Sequence, residues 1–372
     1  MIPVFEPEIG EEEVALVVDA LRKGEISGSF GGYIPAFEEG FAKFCEAQFG
    51  VAVTSGTTAL ELAVAALDIG AGDEVLVSAC TNIASALAIY RNGAVPVPVD
   101  SESETWNLDV DRIESLITPR TKAILPVHIY GHPVDMAQVM AIAKKHGLAV
   151  IEDAAEAHGA EVRGHKVGAL GDMGCFSFYA NKIITTGEGG MIVTNDEKLA
   201  KKLRHLRNLA FGQPRFYHEV AGFNFRMTGM QAALGIAQLK KIDQRIADRR
   251  RLAALYNSHL AGIEELQLPI ERPWAKNVYW MYAVVLQPRA GQHRDELLEF
   301  LRERGIDTRT MFCPLNLQPF LERQQGYRKI ACPVAENLWA NGFYLPSSAS
   351  VTEADIARIA DAIRQYLAST AR

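Results

Sequence analysis

The sequence predicts an α/β fold in three layers, in which helices cover both faces of a mainly parallel sheet, followed by a smaller α+β domain. Between about residues 49 and 208, short apolar runs alternate with amphipathic helical patterns. These runs are apolar throughout, which is typical of strands buried between two layers of helices. The length of 372 residues also exceeds what one hydrophobic core usually holds, so we expect a second domain.

Seven strands and four helices are predicted in this first part of the chain. The strand candidates, in order, are VAVTS, DEVLVSA, AVPVPVD, TKAILPVHI, AVIEDAA, GCFSFY and GGMIVTND. The helical patterns between them are TTALELAVAALDI, VDRIESLI, DMAQVMAIAKKHG and EKLAKKLRHLRN. Connections of this kind place consecutive strands parallel to one another.

A long helical pattern follows Thr228 and continues to about residue 260. Its apolar residues recur at helical spacing, with basic residues between them. They include Ile236, Leu239, Ile242 and Ile246. We expect one long helix here that leaves the large domain and leads into the small one.

The domain boundary is expected at this helix, with a large domain over residues 1–243 and a small C-terminal domain over residues 244–372. The small domain contains a strand candidate and two amphipathic helical patterns. These are VYWMYAVVL, RDELLEFLRERGI and EADIARIADAIRQYLAST. The mixture of strand and helices predicts an α+β unit.

Composition excludes several classes of function. The net charge is −7 and no block of basic residues is present, so nucleic acid is not an expected partner. We find no apolar stretch of membrane-spanning length and no signal peptide, so we expect no membrane association and a cytoplasmic location. The five cysteines lack metal-type spacing, which favours free thiols and no metal site.

A candidate phosphate site follows the first strand. Ser55, Gly56, Thr57 and Thr58 form a small turn at the start of a helix. The N–H groups at a helix N-terminus bind phosphate, but the same residues are also good helix caps. Both interpretations stay open from this segment alone.

Acidic residues follow the fifth strand. Asp153 ends the run AVIED, Glu156 follows three residues later, and His158 lies two residues further on. Such an acid either caps a helix or holds a loop, or it pairs with a cationic ring nitrogen of a ligand. We expect His158 to be a satisfied structural histidine.

Lys182 lies between the sixth strand and a glycine-rich loop that contains Gly187, Gly189 and Gly190. A surface lysine at a turn is the ordinary interpretation. In a partly dry site, however, a lysine has a lowered pKa and forms a Schiff base. An amine, a strand-end carboxylate and a phosphate-binding turn are together what pyridoxal 5′-phosphate requires, so we expect this cofactor.

Several segments resemble the DegT/StrS-type sugar-nucleotide aminotransferases over nearly the whole chain. They are GDEVLVSACTNIAS, PVHIYGHPVDM, VIEDAAEAHGA, FSFYANKIITTGEGGMIVTND and GFNFRMTGMQAALGIAQL. The resemblance implies the aspartate aminotransferase fold (fold type I) and a transfer of an amino group from L-glutamate to a keto sugar linked to a nucleotide.

The resemblance also assigns roles to individual positions. It implies that Lys182 carries the cofactor and that Asp153 pairs with its pyridine nitrogen, while Glu156 faces its ring hydroxyl. Asn224 resembles an asparagine that reaches the cofactor phosphate of the neighbouring subunit, which implies a homodimer with shared active sites. The further cofactor-binding positions that it implies are Gly56, Thr57, Thr58, Asn82 and Ser177.

Within the family, Glu156, the segment NKIITTGEGGMIVTND and the sequence YWMY at residues 279–282 are similar to GDP-perosamine synthases. This implies GDP-4-keto-6-deoxymannose as the substrate, aminated at C4. The alternatives are a UDP- or dTDP-linked 4-keto or 3-keto sugar, and a non-catalytic regulator on the same fold. Sugar dehydratases of the family replace the lysine with histidine, and Lys182 argues against that chemistry.

Two positions depart from the usual family pattern. Asn82 stands where an aromatic residue usually stacks on the cofactor ring, and Asn316 replaces a common histidine near the substrate. For the nucleotide sugar we expect a cleft at the subunit interface, with Ser27 and Tyr33 near it. Arg309 and Asn316 are expected to approach from the C-terminal part, although residues 26–32 equally suit a turn that only packs.

Overall fold

The structure is a computed structural model that describes residues 1–28, 30–287 and 293–370. The helices are α1 (Glu11–Lys23), α2 (Tyr33–Phe44), α3 (Gly56–Ala66), α4 (Ala84–Arg91), α5 (Ile113–Leu116), α6 (Met136–His146), α7 (Glu197–Arg207), α8 (Gly229–Leu239), α9 (Ile242–Leu260), α10 (Arg294–Glu303), α11 (Pro319–Glu322), α12 (Pro333–Asn341) and α13 (Glu353–Thr370). The strands are β1 (Phe49–Val53), β2 (Glu74–Ser78), β3 (Val95–Val99), β4 (Thr121–Leu125), β5 (Ala149–Asp153), β6 (Glu161–Val162), β7 (His165–Lys166), β8 (Met173–Ser177), β9 (Gly190–Thr194), β10 (Leu266–Gln267), β11 (Ala275–Lys276), β12 (Tyr282–Leu286), β13 (Arg309–Thr310) and β14 (Gly342–Leu345).

The main sheet contains all seven strands predicted from the first part of the sequence, in the order β1-β9-β8-β5-β4-β2-β3. Strands β8, β5, β4, β2 and β3 are parallel neighbours, whereas β9 is antiparallel to both β1 and β8. Most of the side chains in these strands are buried, because helices cover the sheet. The predicted α/β class is therefore confirmed.

The long helix predicted after Thr228 is wrong in one respect, because it consists of two helices, α8 and α9. The backbone leaves the helical conformation at Lys241, which has φ −104° and ψ 2° and caps α9. Its Nζ donates to both carboxylate oxygens of Glu13 on α1, at 2.8 and 2.9 Å. The break coincides with this contact to α1, and no proline or glycine lies at it.

The small sheet has the order β10-β12-β14-β13 and is antiparallel. Strand β12 lies between two hydrophobic cores. Ala283 and Val285 belong to the large core that surrounds the main sheet, whereas the alternate residues Tyr282, Val284 and Leu286 pack in a second core with α9, α10 and α13. The two parts of the chain therefore share this strand.

Ile2, near the N-terminus, also belongs to the second core. Ile2 pairs with Ile306, and its N–H donates to the carbonyl of Gly305 at 2.7 Å. The second core thus includes residues from both sides of the predicted boundary at residue 243, and that division stays a prediction. Among the described residues, no helix has the length and hydrophobicity needed to span a bilayer.

Candidate active site

A cavity of about 290 Å³ opens at the carboxyl ends of the parallel strands. Five strands deliver residues to it, because parallel strands end at the same edge of a sheet. The lining residues from these strand ends and the loops that follow them are Ser55, Gly56, Thr57, Thr81, Asn82, Val127, Asp153, Ala155, Glu156, Ser177, Tyr179, Asn181 and Lys182. Glu188, from the loop before β9, completes this side of the cavity.

Lys182 and Glu156 form a buried pair in this cavity. The Nζ atom of Lys182 lies 3.9 Å from Oε1 of Glu156, and both side chains are at most 10% exposed. Burial lowers the pKa of Lys182, although the negative charges of Glu156 and Asp153 oppose this. Burial likewise raises the pKa of Glu156, and the charge of Lys182 opposes it. The lysine consequently has more free amine at neutral pH than an exposed lysine.

Asp153 is the last residue of β5 and is buried. Its Oδ2 accepts a hydrogen bond from the hydroxyl of Ser85 at 2.7 Å, and its Oδ1 accepts one from the N–H of Ala155 at 3.1 Å. Burial raises the pKa of Asp153, while the bonds from Ser85 and Ala155 and the charge of Lys182 oppose this shift. A cationic group bound against this carboxylate would stabilise its charged form.

The start of α3 forms the opposite end of the cavity. The N–H groups in the first turn of a helix have no partner within the helix, and here they belong to Gly56 and Thr57. A side chain at Gly56 would place its Cβ 2.7 Å from Cβ of Ser177, so glycine is what allows this turn to lie against Ser177. The arrangement suits an anion such as phosphate.

Thr58 has a different position from that expected of a direct ligand. Its hydroxyl donates to the carbonyl of Ser55 at 2.9 Å, and its N–H donates to the hydroxyl of Ser55 at 3.1 Å. Thr58 thus completes a capping box and does not line the cavity. The capping interpretation of this segment is confirmed for Ser55 and Thr58, and phosphate binding by Thr58 stays a prediction.

The wall that the sequence patterns did not indicate is aromatic. Trp280, Phe312 and Tyr344 from the C-terminal part line the cavity, and Trp280 lies with its ring centroid 3.7 Å from Nζ of Lys182. Tyr130 stacks between Trp280 and Phe312, with ring planes within 8° of parallel on both sides. The segment YWMY at residues 279–282 resembles the GDP-perosamine synthases, but no spacing rule connects Trp280 with a lysine almost a hundred positions earlier.

Asn82, predicted to replace an aromatic partner of the cofactor, lines the cavity and is exposed. Its Oδ1 accepts a hydrogen bond from the N–H of Ala84 at 3.0 Å, which helps to start α4. The side chain therefore has a local structural role at the rim of the cavity, whatever it contributes to a ligand.

Three other predicted residues lie outside this cavity, on the surface of the chain. Asn224 is exposed and forms an antiparallel bridge with Asn208. The hydroxyl of Tyr33 bonds to Asp19. Ser27 precedes Gly28, whose Cα is packed so closely on Arg226 and Met227 that a Cβ there would lie 2.4 Å from the carbonyl of Met227. The segments that contain Ser27 and Asn224 are therefore neighbours.

The two predicted residues from the C-terminal part also lie outside the cavity lining. Arg309 is exposed and pairs with Asp307, although its strand, β13, adjoins Tyr344 of the cavity wall. Asn316 is buried and its Nδ2 donates to Glu336 at 2.6 Å, whereas its Oδ1 accepts no hydrogen bond from the described residues. Contact of these residues with a substrate stays a prediction.

His158 lies behind the cavity among the rings of Phe41, Phe176 and Phe178. It is fully buried, and neither ring nitrogen has a hydrogen-bond partner of ordinary geometry among the described residues. Burial, together with the nearby charge of Lys182, lowers the pKa of His158 to about 3. A hydrogen-bond contact with the backbone of Ser177 opposes this shift, and the expectation of a satisfied structural histidine stays a prediction.

Replacing His158 by leucine is expected to make the protein less sensitive to acid. In the unfolded chain this histidine takes up a proton near pH 6.5, but in the fold it stays neutral to about pH 3, so it removes stability as the pH falls between these values. This amounts to roughly 1.4 kcal/mol per pH unit. Urea unfolding at several pH values tests this expectation. As the pH falls below 6.5, the free energy of unfolding should decrease less in the variant than in wild type, and above neutrality it should depend on pH equally in both. Equal slopes for both proteins would contradict the explanation.

Within the described residues, no group of three or more His, Cys, Asp or Glu side chains is arranged to hold a metal ion. The cavity brings together the buried amine, the two carboxylates, the helix N-terminus and the aromatic wall.

The chain is similar to known aminotransferases over nearly its full length. A model of the DegT/DnrJ/EryC1/StrS aminotransferase family matches residues 7–364. The chain is 43% identical over 371 residues to the GDP-perosamine synthase of Caulobacter vibrioides, with 98% of both chains covered. It is 39% identical over 370 residues to a dTDP-3-amino-3,4,6-trideoxy-α-D-glucose transaminase of Streptomyces venezuelae, covering 98% and 96% of the two chains. The solved structure of S. venezuelae DesV in complex with a ketimine intermediate matches with a TM-score of 0.88 at 39% identity, covering 95% and 94%.

Proposed function

Because the chain belongs to the DegT/DnrJ/EryC1/StrS aminotransferase family, we propose that it transfers an amino group from L-glutamate to C4 of GDP-4-keto-6-deoxymannose, giving GDP-perosamine. The chain is an aminotransferase acting on a nucleotide sugar, and its fold is that of the pyridoxal-phosphate-dependent sugar aminotransferases. The observation that carries the proposal is the meeting of the Lys182 amine, the Asp153 carboxylate and the N-terminus of α3 in one cavity.

The residues of the cavity fit pyridoxal 5′-phosphate. Gly56 and Ser177 form a close cradle at a helix N-terminus, and the buried Oδ1 of Asn181 accepts no hydrogen bond from the described residues. We assign the phosphate to Gly56, Thr57 and Ser177, and the protonated ring nitrogen to Asp153. When bound, the cofactor supplies a cationic ring that withdraws electrons from the carbon undergoing reaction.

The chain's own groups supply the proton transfers and the orientation. Lys182 Nζ, buried and with a lowered pKa, is placed to take a proton from the α-carbon of glutamate and to return one in the second half of the reaction. Asp153, held in orientation by Ser85 and Ala155, would place its carboxylate against the ring nitrogen and stabilise the positive charge there. Glu156 accepts a hydrogen bond from the N–H of Tyr130 at 2.9 Å and lies beside Lys182. Its negative charge stabilises the protonated form of the lysine.

We further propose a homodimer in which each subunit completes the site of the other. Asn224 and Ser27 lie outside the cavity of their own chain, and Gly28, next to Ser27, packs closely on Arg226 and Met227, just after Asn224. Exposed aromatic side chains of the same region, Phe30, Phe216 and Tyr217, are suited to burial in a subunit interface. In this assembly Asn224 reaches the phosphate, and Ser27, Tyr33, Arg309 and Asn316 approach the nucleotide sugar.

The cytoplasm is the proposed location. All five cysteines are free thiols, and four of them are buried, as is usual in a reducing compartment. The proposal concerns the protein as a whole and does not affect the chemistry of the cavity.

A UDP- or dTDP-linked keto sugar is the second candidate substrate. The chain is 39% identical to the Streptomyces transaminase, whose name specifies a dTDP-linked 3-amino sugar, and 43% identical to the Caulobacter GDP-perosamine synthase. The two identities are close.

A half-reaction tests the proposed function. The purified protein is loaded with pyridoxal phosphate, converted to the aminated form with L-glutamate, and freed of glutamate. GDP-4-keto-6-deoxymannose and its UDP and dTDP counterparts are then added separately, and the return of the visible absorbance and the mass of the amino sugar are measured. Recovery with the GDP sugar alone is the expected result. Recovery with another nucleotide alone would overturn the substrate but retain the chemistry, and no recovery with any keto sugar would overturn the function.

A further inference from the structure

Lys182 is held against the face of an indole ring. Its Nζ lies 3.7 Å from the centroid of Trp280, which is 3% exposed. A cation over the face of tryptophan is attracted by the negative charge of the ring face, and the attraction is strongest where water is excluded. The distance from Nζ to Oε1 of Glu156 is 3.9 Å, which is too long for a hydrogen bond. The ring is therefore a principal contact of the amine.

The indole ring is itself fixed in place. Its Nε1 donates a hydrogen bond to the carbonyl of Asn181 at 2.7 Å, which ties the ring to the residue directly before Lys182. On the other side it stacks on Tyr130, which stacks in turn on Phe312. The ring is thus held from two sides, and its position relative to Lys182 is set by the backbone of the same segment.

The backbone before Trp280 is specialised for this placement. Tyr279 has a φ of 46°, and a Cβ at Gly131 would lie 2.9 Å from the backbone nitrogens of both Tyr279 and Trp280. The turn after β4 and the segment before β12 therefore approach closely, which brings Tyr130 and Trp280 into contact. A small change in either segment would move the ring away from Lys182.

We propose that Trp280 is a positioning residue whose indole face forms a resting place for the Lys182 amine whenever that amine is not bonded to a cofactor. This proposal rests on the proposed function for its significance, since amino transfer requires Lys182 to be released and then to act on a nearby carbon. A ring face holds the ammonium group without a strong hydrogen bond. The amine accordingly stays in the cavity and remains free to transfer a proton.

The experiment measures the titration of Lys182 in the full-length protein without cofactor, by competitive labelling with a trace of acetic anhydride at a series of pH values and mass spectrometry of the peptide. Trp280→Phe is compared with Trp280→Met, because the two side chains are similar in size and differ in the aromatic ring. The Lys182 pKa is expected to be roughly one unit higher in W280F than in W280M.

The comparison separates the ring from other influences on the amine. Both variants retain the titratable groups that act on Lys182, which are Asp153, Glu156 and His158. They also retain those that line the same cavity, which are Tyr179, Glu188 and Tyr344. Entry of water raises the pKa of a buried lysine, and similar side-chain volume keeps this effect alike in the two variants. Trp280→Leu serves as a second non-aromatic variant if W280M does not fold.

Tyr130→Phe is the matched control. Removing the buried hydroxyl of Tyr130 leaves in place the ring that stacks on Trp280, so the Lys182 pKa should equal that of wild type. A pKa in W280M or W280L that equals or exceeds that in W280F would overturn the proposal. Because labelling requires neither cofactor nor amino transfer, this outcome is independent of whether the proposed function fails in the half-reaction.

Discussion

Replacing Lys182 by alanine is expected to abolish amino transfer, with a loss of at least about ten-thousand-fold in turnover. Among the described residues, Lys182 is the one amine that lines the cavity, so no other side chain there takes over its proton transfers. Formation of 2-oxoglutarate from glutamate and the keto sugar measures the loss. Sustained turnover by the variant without an added amine would contradict the assignment.

Lys145→Ala provides a matched control for this variant. Lys145 is 66% exposed and pairs with Glu114 on the surface, so its loss should leave turnover within about twofold of wild type. Borohydride reduction followed by peptide mass spectrometry supplies a second measurement. The mass of the cofactor should appear on the peptide that contains Lys182 in wild type and K145A, and should be absent in K182A.

Replacing Asp153 by asparagine is expected to lower turnover by roughly a hundred-fold, because an uncharged amide cannot form the charge-assisted bond to a cationic ring nitrogen, worth about 3 kcal/mol. Ser85→Ala is the control variant. It removes the hydroxyl that donates to Asp153 at 2.7 Å but keeps the carboxylate, so a loss of about tenfold or less is expected. A loss in S85A that equals the loss in D153N would contradict a role for the charge.

The stability of the cofactor-free D153N protein should change in the opposite direction to its activity. Burial raises the pKa of Asp153 in the fold, so the folded chain holds this proton more tightly than the unfolded chain does. The resulting stability is present below the unfolded pKa of about 3.9 and is lost as the pH rises through the folded pKa. At neutral pH the buried carboxylate therefore lowers the free energy of unfolding of wild type, and D153N should be at least as stable there in urea unfolding. Lower stability of the folded variant at neutral pH would contradict this account.

Sequence patterns were sufficient for the main sheet and for the residues at its strand ends. Asp153 and Ser177 each end a strand, and adjacent parallel strands bring such residues together whatever the details of the helices. The same argument predicts that Gly56 and Thr57 join them. Lys182 was expected near these residues from its order in the chain and from the family resemblance, and it lines the same cavity.

Other features depend on contacts that no local pattern encodes. The break between α8 and α9 accompanies an ion pair between Lys241 and Glu13, more than two hundred positions apart. Trp280 reaches Lys182 because the chain returns to the cavity after α9. Ser27 and Asn224 lie outside the cavity of their own chain, and their part in a site depends on the proposed second subunit.

The alternation along β12 has a consequence for how this chain can evolve. Ala283 and Val285 face one core, whereas Tyr282, Val284 and Leu286 face the other. Substitutions at alternate positions of this strand therefore affect packing against different sets of neighbours, and we expect their effects on stability to be largely independent. Lineages can adapt the part that surrounds the cavity without disturbing the part that supports it, provided that the register of a single five-residue strand is inherited unchanged.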